Sequence, residues 1–506
     1  MSYGLVWFKR DLRLQDHAAL SEAAKNGPVR CIYVVEPNLW LEPGAALQHF
    51  EFIRESLADL DGQLRLLGGA IEIHHGEMTE VLSKIWQELP FERLYSHQET
   101  GNGFTYGRDI QVASWCKAHQ IRWTEYAQFG VVRGLKNRNL WQRAWEKHMA
   151  ALVYASPKIS FLKQTSAPLH MVAPAHLQHN PPMRQRGGRS LALATLESFL
   201  NARSLGYRGG ISSPLSAPEA CSRLSAYLAY GCISMREVVQ ATRKHLTLLP
   251  PEAAKHRAGL NAFSSRLYWH CHFIQKLESE PEIEWQNMHR GYDGLREQDF
   301  NTEYFEALKA GRTGWPMVDA CVVMLRETGW INFRMRAMLV SISAYPLWLH
   351  WRPVGEWLAT QFLDYEPGIH WSQLQMQSGT TGINTTRVYN PIKQAQDHDP
   401  KGLFVRRWLP TLQGVPDEWL FQPWQMPPSV QEISGLMVGK EIAQPVVDLA
   451  QATREAKNRL YARRHNPEVK AAKQEVIEKH ASRKNVSARK RSKPKTTKSN
   501  QLAFDF

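Results

Sequence analysis

The sequence predicts an α/β domain at the amino end, built on a parallel five-stranded Rossmann-like sheet, followed by a larger all-helical domain. Two observations carry this. Short apolar runs alternate with helical patterns as far as about residue 130, the mark of strand-helix-strand crossovers. Further on, apolar residues recur three and four apart instead, as in Met317, Val318, Cys321, Met324 and Leu325 and then Met338, Leu339, Ile342 and Leu347, which predicts two helices buried on most faces. A chain of 506 residues with 43% hydrophobic content has core enough for both units.

In chain order, strands are predicted at 4–8 (GLVWF), 29–36, 70–75, 92–96 and 121–127, with helices at 46–67, 78–89 and 106–119 between them. The first domain spans 1–130. Gly101, Gly103 and Gly107 miss a dinucleotide fingerprint, because the third glycine is one place late and no acidic ribose partner follows; a turn is expected there. Residues 131–198 read as an interdomain linker, richest in Pro, His, Gln and Ser after Ser156. The helical domain spans 199–447. Within it, Cys221-Ser222-Arg223-Leu224-Ser225 opens a helix with small hydroxyl residues, an N-terminal cap and a candidate phosphate seat, ordinary caps being far commoner. Trp269, His270, Cys271 and His272 crowd another helix, but neighbours on a helix point in different directions, so no metal site is expected.

Arg334 and Arg336 sit between the two buried helices, where each guanidinium needs an acceptor, and Asp364 and Glu366 follow in the next Gly/Pro-broken segment. A structural ion pair is one reading and a ligand site the other. Residues 448–506 form an extension: a surface helix to about 482, then a basic Ser/Thr/Asn-rich tail carrying Arg483, Lys484, Arg489, Lys490 and Arg491 that is expected to be disordered.

The net charge of +14 favours a polyanionic partner. Six cysteines without a C-x-x-C pair indicate neither a disulfide framework nor an iron-sulfur or zinc cluster. No segment has the apolar length of a membrane span, and the amino end lacks the layout of a signal or transit peptide, so a cytoplasmic location and no membrane are expected.

Thr313-Gly314-Trp315-Pro316-Met317-Val318-Asp319-Ala320, then Thr328-Gly329-Trp330, Arg334 with Arg336, Trp351-Arg352, Asp364 with Glu366, Thr381-Gly382 and Tyr389-Asn390-Pro391 resemble, in order and spacing, the cofactor domain of the photolyase/cryptochrome flavoproteins. The opening Val6-Trp7-Phe8-Lys9-Arg10-Asp11-Leu12-Arg13 resembles that family's first motif, and the match runs from about residue 4 to 412. The resemblance implies FAD as cofactor, with Ser222, Arg223, Leu224 and Ser225 at its pyrophosphate, Tyr207 and His270 nearby, Arg336, Asp364 and Glu366 beside the flavin, and His370 opposite N5, where asparagine is usual. It implies that Trp269 stacks on a flipped DNA lesion, that Arg334 reaches DNA, and that Met376 lines the lesion pocket. Trp351 matches the middle tryptophan of an electron relay whose member nearest the flavin falls on Leu374 or Gln375. A second antenna chromophore, a pterin, deazaflavin or other, is implied for the first domain and stays unassigned.

The chain departs from the family pattern at Cys221 and Ala226 in the phosphate motif, and at Arg266, Phe333 and Met376 in the lesion pocket. Asn332 and Phe333 stand where a histidine pair marks repair of (6-4) photoproducts, which disfavours that activity. The leading expectation is a monomeric, light-dependent photolyase that splits cyclobutane pyrimidine dimers in damaged DNA. The alternatives are a cryptochrome-like photoreceptor without repair and a nucleic-acid-binding protein that has lost FAD. The closing Gln501-Leu502-Ala503-Phe504-Asp505-Phe506 loosely resembles peptides that bind the bacterial sliding clamp, an unattached tail being the alternative.

Overall fold

The computed structural model describes residues 3–162, 169–383 and 387–481. The basic tail and the terminal hexapeptide lie outside the described residues.

Five strands, β1 (Gly4–Phe8), β2 (Val29–Val35), β3 (Ile71–His75), β4 (Arg93–His97) and β5 (Arg122–Tyr126), form one parallel sheet in the order β3-β2-β1-β4-β5. Strand β1 is central and buried throughout because both faces are covered. Successive side chains alternate: Leu5 and Trp7 face Val81, Leu82, Ile85 and Val112 in one layer, while Val6 and Phe8 join Phe50, Phe52 and Leu57 in the other. The crossover helices are α1 (Ala18–Lys25), α2 (Leu47–Leu66), α3 (Met78–Glu88) and α4 (Gly103–Ala118). Strand order turns back between β1 and β4, so the loops after these strands open a crevice at the carboxyl edge of the sheet.

The stretch from 131 to 198 is more than a connector. Helix α5 (Trp141–Ala150) lies inside it, with Trp141, Trp145 and Met149 buried four residues apart, and α6 (Arg189–Asn201) starts ahead of the expected boundary at 199. Phe161 also forms a bridge to Val29 beside β2. The Pro- and His-rich composition further along obscured the short apolar stripe of α5.

The second half is helical and holds most of the site. Its elements include α7 (Ser225–Ala229), α8 (Met235–Leu248), α9 (Ala254–Ser279), α10 (Pro316–Thr328), α11 (Phe333–Ala344), α12 (Trp351–Gln361) and α13 (Pro367–Ser378). Helix α8 starts at a full capping box in which Ser234 and Glu237 exchange side-chain and backbone hydrogen bonds. The expected apolar stripe of α10 is buried, as are Met338, Leu339 and Ile342 on α11. Two further helices, α14 (Leu449–His465) and α15 (Pro467–His480), close the described chain, and α15 docks where His480 Nε2 meets Glu280 Oε2 at 2.6 Å. No helix among the described residues is long and apolar enough to cross a membrane.

Candidate functional site

Arg336 projects from the first turn of α11 and is held at every donor edge. Its Nε donates to the Ile331 carbonyl at 2.8 Å, and Nη1 and Nη2 donate to Asp364 Oδ1 and Oδ2 at 2.9 and 3.0 Å. Such a parallel fork suits guanidinium and carboxylate geometry and fixes both side chains. Asp364 lies on the turn between α12 and α13, where Pro367 starts the next helix. Burial opposes its charge, but the Arg336 guanidinium and the hydrogen bonds from Arg336 and Ser225 outweigh burial and hold the carboxyl below its usual range.

A cleft with about 760 Å³ of free space, its open mouth included, lies beside this pair. Ser225, His270, Arg336, Asp364, Glu366 and His370 supply its polar points, and Val340, Leu358, Ile369 and Leu374 its apolar wall. Phe333, 38% exposed, stands on this lining. A few convergent polar groups on apolar walls suit a small organic ligand or cofactor.

Next to the cleft, Arg223 adopts a left-handed backbone (φ 61°) and lays its guanidinium 3.8 Å from the Trp330 ring centroid. Among the described residues no carboxylate pairs with it at salt-bridge distance. Burial, then the like charges of Arg336 and Arg203, against the pull of Asp364, bring its pKa down to about 10. A cation held so, with Ser222 and Ser225 beside it, has a demand for an anion. Helix α7 is only five residues long, so the guanidinium and hydroxyls rather than a helix dipole would serve a phosphate. Leu224 is buried and anchors the loop. Arg203, which sequence reasoning missed, orders the loop by donating to the carbonyl oxygens of Cys221 and Ser222.

Other expected residues divide. His370 lines the cleft; its Nε2–H donates to the Gly355 carbonyl at 2.9 Å, and burial pushes its pKa down to about 4, so the ring is neutral with Nδ1 as a lone pair. His270 is likewise lowered to about 4 by burial. Tyr207 is buried behind the cleft between Phe199 and Phe263, with a side-chain hydrogen bond to Arg266. Trp269, Arg334 and Met376 are not on the lining. One residue of helix turns by about 100°, so with His270 facing the cleft, Trp269 packs on His272 and Phe273. The same phase argument places Gln373, Leu374 and Gln377 on the wall and Met376 off it. Arg334 acts electrostatically on His398. Trp351 is buried, donates through Nε1 to Asn287 Oδ1 at 2.8 Å, and meets Trp371 edge-on at 5.9 Å; Trp371 meets His370 at 4.9 Å. The rings thus run in contact from the cleft wall to Trp351, through Trp371, three or four residues before the expected Leu374 or Gln375.

A second cleft of about 810 Å³ lies where the sheet's carboxyl edge faces the helical half, lined in part by Trp7, Tyr33, Trp40, Arg108, Tyr230 and Tyr365. Its charges are largely spent on each other, Arg108 pairing with Glu36, Glu99 and Asp109 at 2.9, 2.6 and 2.9 Å, so its aromatic walls remain as the main binding surface. Nearby, Asp11, His17 and His97 form a buried triad with Asp11 Oδ2 2.7 Å from His97 Nδ1 and 2.9 Å from His17 Nε2. Because His17 Nδ1 accepts from the Leu20 N–H, the ligating atoms of the triad face one another at hydrogen-bond distances, closer than the ligands around an ion.

Comparison with known proteins agrees with this arrangement. Residues 4–132 match the family described as DNA photolyase, and residues 263–462 match the FAD binding domain of DNA photolyase. Cryptochrome DASH of Gloeobacter violaceus is 28% identical over 493 residues, covering 88% of this chain and 93% of that protein. Deoxyribodipyrimidine photo-lyase of Streptomyces griseus is 26% identical over 472 residues, covering 89% and 98%. A bacterial class III photolyase from Agrobacterium tumefaciens has the same fold (TM-score 0.79, 22% identity, 92% of this chain and 98% of that one), as has an archaeal photolyase from Sulfolobus tokodaii solved with two FAD molecules (TM-score 0.72, 24% identity, 91% and 99%). With both halves matched to the two domains of one family, the chain belongs to the photolyase/cryptochrome family of flavoproteins.

Proposed function

We propose that this protein is a light-dependent, FAD-containing DNA photolyase that splits cyclobutane pyrimidine dimers. The observation that carries the reading is the 760 Å³ cleft walled by the Arg336–Asp364 fork, with the cation of Arg223 beside it. Arg223, Ser222 and Ser225 would hold the cofactor's phosphates, and the fork would orient its ring system. Val340, Ile369 and Leu374 would keep water from the ring face. When bound, FAD supplies light absorption and a reversible electron to the lesion, so the protein needs no general acid-base pair to break the dimer. Backbone phosphates would be met by the basic surface, and binding of DNA is expected to weaken as salt rises. An unpaired, poorly stacked dimer is the base pair easiest to flip toward the cleft. The second cleft is the place we assign to an antenna chromophore with a planar ring.

The test is direct. Purified protein should absorb as a flavoprotein, and illumination of the reduced form with dimer-containing oligothymidine should lower the dimer content. Bound FAD with unchanged dimer content would favour the second reading, a cryptochrome-like photoreceptor, toward which the departures at Arg266, Phe333 and Met376 point. A colourless preparation that FAD does not reconstitute would exclude both.

A further inference from the structure

Reduction of an isoalloxazine ring takes up a proton along with electrons, so a buried cleft that holds one needs a donor within it; this inference rests on the FAD reading above. Most polar residues of the cleft are ruled out by their partners. The single proton of His370 is on Nε2 and committed to the Gly355 carbonyl, and His270, kept neutral by burial, has only the weakly acidic N–H of an uncharged imidazole. Asp364 is held ionised by Arg336. Glu366 remains. It is 5% exposed, and its nearest cation, Arg10 Nη2, stands 3.5 Å from Oε2, too far for a strong hydrogen bond. Arg10 is also engaged elsewhere, donating through Nε to the Ala229 carbonyl and through Nη2 to the Tyr365 carbonyl at 2.7 and 2.8 Å. Burial first, then the charge of Glu99, outweigh Arg10 and raise the carboxyl to about 7.

Glu366 also has a second outlook. Besides the cofactor cleft it lines a narrow polar pocket at the seam of the two halves. Facing it across that pocket are Lys9, Arg10 and Asp11 of the opening motif and His97 and Glu99 at the end of β4; on its own segment lie Asp364, Tyr365 and His370. We propose that Glu366 is the proton donor of the cofactor cleft and that the polar pocket shared with Arg10, Glu99 and His97 returns the proton.

With a thiol as reductant the step balances. Two thiols give up two electrons and two protons and end as a disulfide. The Glu366 O–H bond breaks, an N–H bond forms on the reduced ring, and the carboxylate left behind is stabilised by Arg10. One thiol proton then refills Glu366 through the polar pocket and the other stays in solvent.

The experiment uses the full chain loaded with FAD and dithiothreitol under blue light. Time-resolved infrared difference spectra should show a carboxylic-acid carbonyl band lost and a carboxylate gained as the ring is protonated, both reverting as Glu366 is refilled, and this transient pair should vanish in a Glu366→Gln variant that retains FAD. Light-driven reduction should slow about tenfold or more in that variant, in line with the usual worth of positioned proton transfer, and recover in part in Glu366→Asp. A Gln variant that keeps FAD, reduces as fast as the unmodified protein and leaves the infrared pair intact overturns the proposal. Should the Gln variant lose FAD, the unmodified protein decides: a reduction rate that falls as pH rises through about 7 supports the donor, and a flat rate over that range overturns it. Failure of the unmodified protein to bind FAD at all would instead defeat the flavin reading.

Discussion

Asp364 is the residue on which the cleft depends most, because its charge is supported by partners that have little else to do. Arg336 is positioned by the Ile331 carbonyl before it meets Asp364, and its guanidinium lies 4.2 Å from the Phe362 ring centroid. Removing one member of a largely buried pair strands the other, a cost of about 3–5 kcal/mol. In Asp364→Ala, FAD retained through gel filtration should therefore fall at least about tenfold, and the free cation should lower the thermal midpoint as well. Normal flavin occupancy in that variant would mean that the fork only braces α11 against α12. The pair was legible in the sequence because two arginines in apolar surroundings demanded acceptors and two acids followed. Arg10 and Arg203 were not legible as site residues, since both act by capturing carbonyl oxygens far along the chain, a role that leaves no spacing pattern. Trp269 and Met376, expected at a lesion pocket, lie off the wall of this cleft because of their helix phase, which leaves that expectation open.

Among the elements, the packing of α13 on α9 sets the width of the cleft, since α9 contributes His270 and α13 contributes His370 and Leu374. Gly368 makes that contact close. A Cβ at this position would stand 2.6 Å from Ile274 Cα, a backbone atom that cannot move without moving the helix. Overfilling a packed contact usually costs about 1–3 kcal/mol, so Gly368→Ala should lose that much in urea unfolding and loosen FAD binding through the displaced wall. An unchanged midpoint would show that α13 is free to shift. The elements themselves were mostly readable: β1 to β5 follow the alternation of buried apolar runs, and α10 follows its stripe of Met and Val. Helix α5 escaped because three apolar residues in a polar, basic segment make a weak stripe, and its burial comes from tertiary contact with Tyr268, which rests edge-on against Trp141 and Trp145.

For the whole molecule, many titratable groups are buried, and that gives stability a sign with pH. Eleven histidines, His49 and His370 among them, are shifted below the ordinary value near 6.5, each with burial as the leading cause. Each stays neutral in the folded chain down to about its lowered pKa, while the unfolded chain takes up the proton from about 6.5 downward. Between these limits the unfolded state binds more protons, so the stabilisation is complete above about 6.5 and is lost as pH falls toward 4. Glu284 and Glu366 act in the opposite sense: burial raises both to about 7, so they keep a proton in the folded state that the unfolded state has lost above about 4.5, and their contribution fades as pH rises through that range. Acids held low, Asp11 and Asp364 for example, are ionised in both states above about 4.5 and have no effect in this range, so the raised acids are opposed by the histidines, which are more numerous and all push one way. The histidines therefore decide the sign. The urea midpoint should be lower at about pH 5 than at about pH 7, with the decline starting below about 6.5, whereas FAD should leave the folded cleft only as pH falls toward about 4, where His270 and His370 on its lining take up protons. A midpoint as high at the lower pH would show that these rings are solvated, or already charged against partners, in the folded chain.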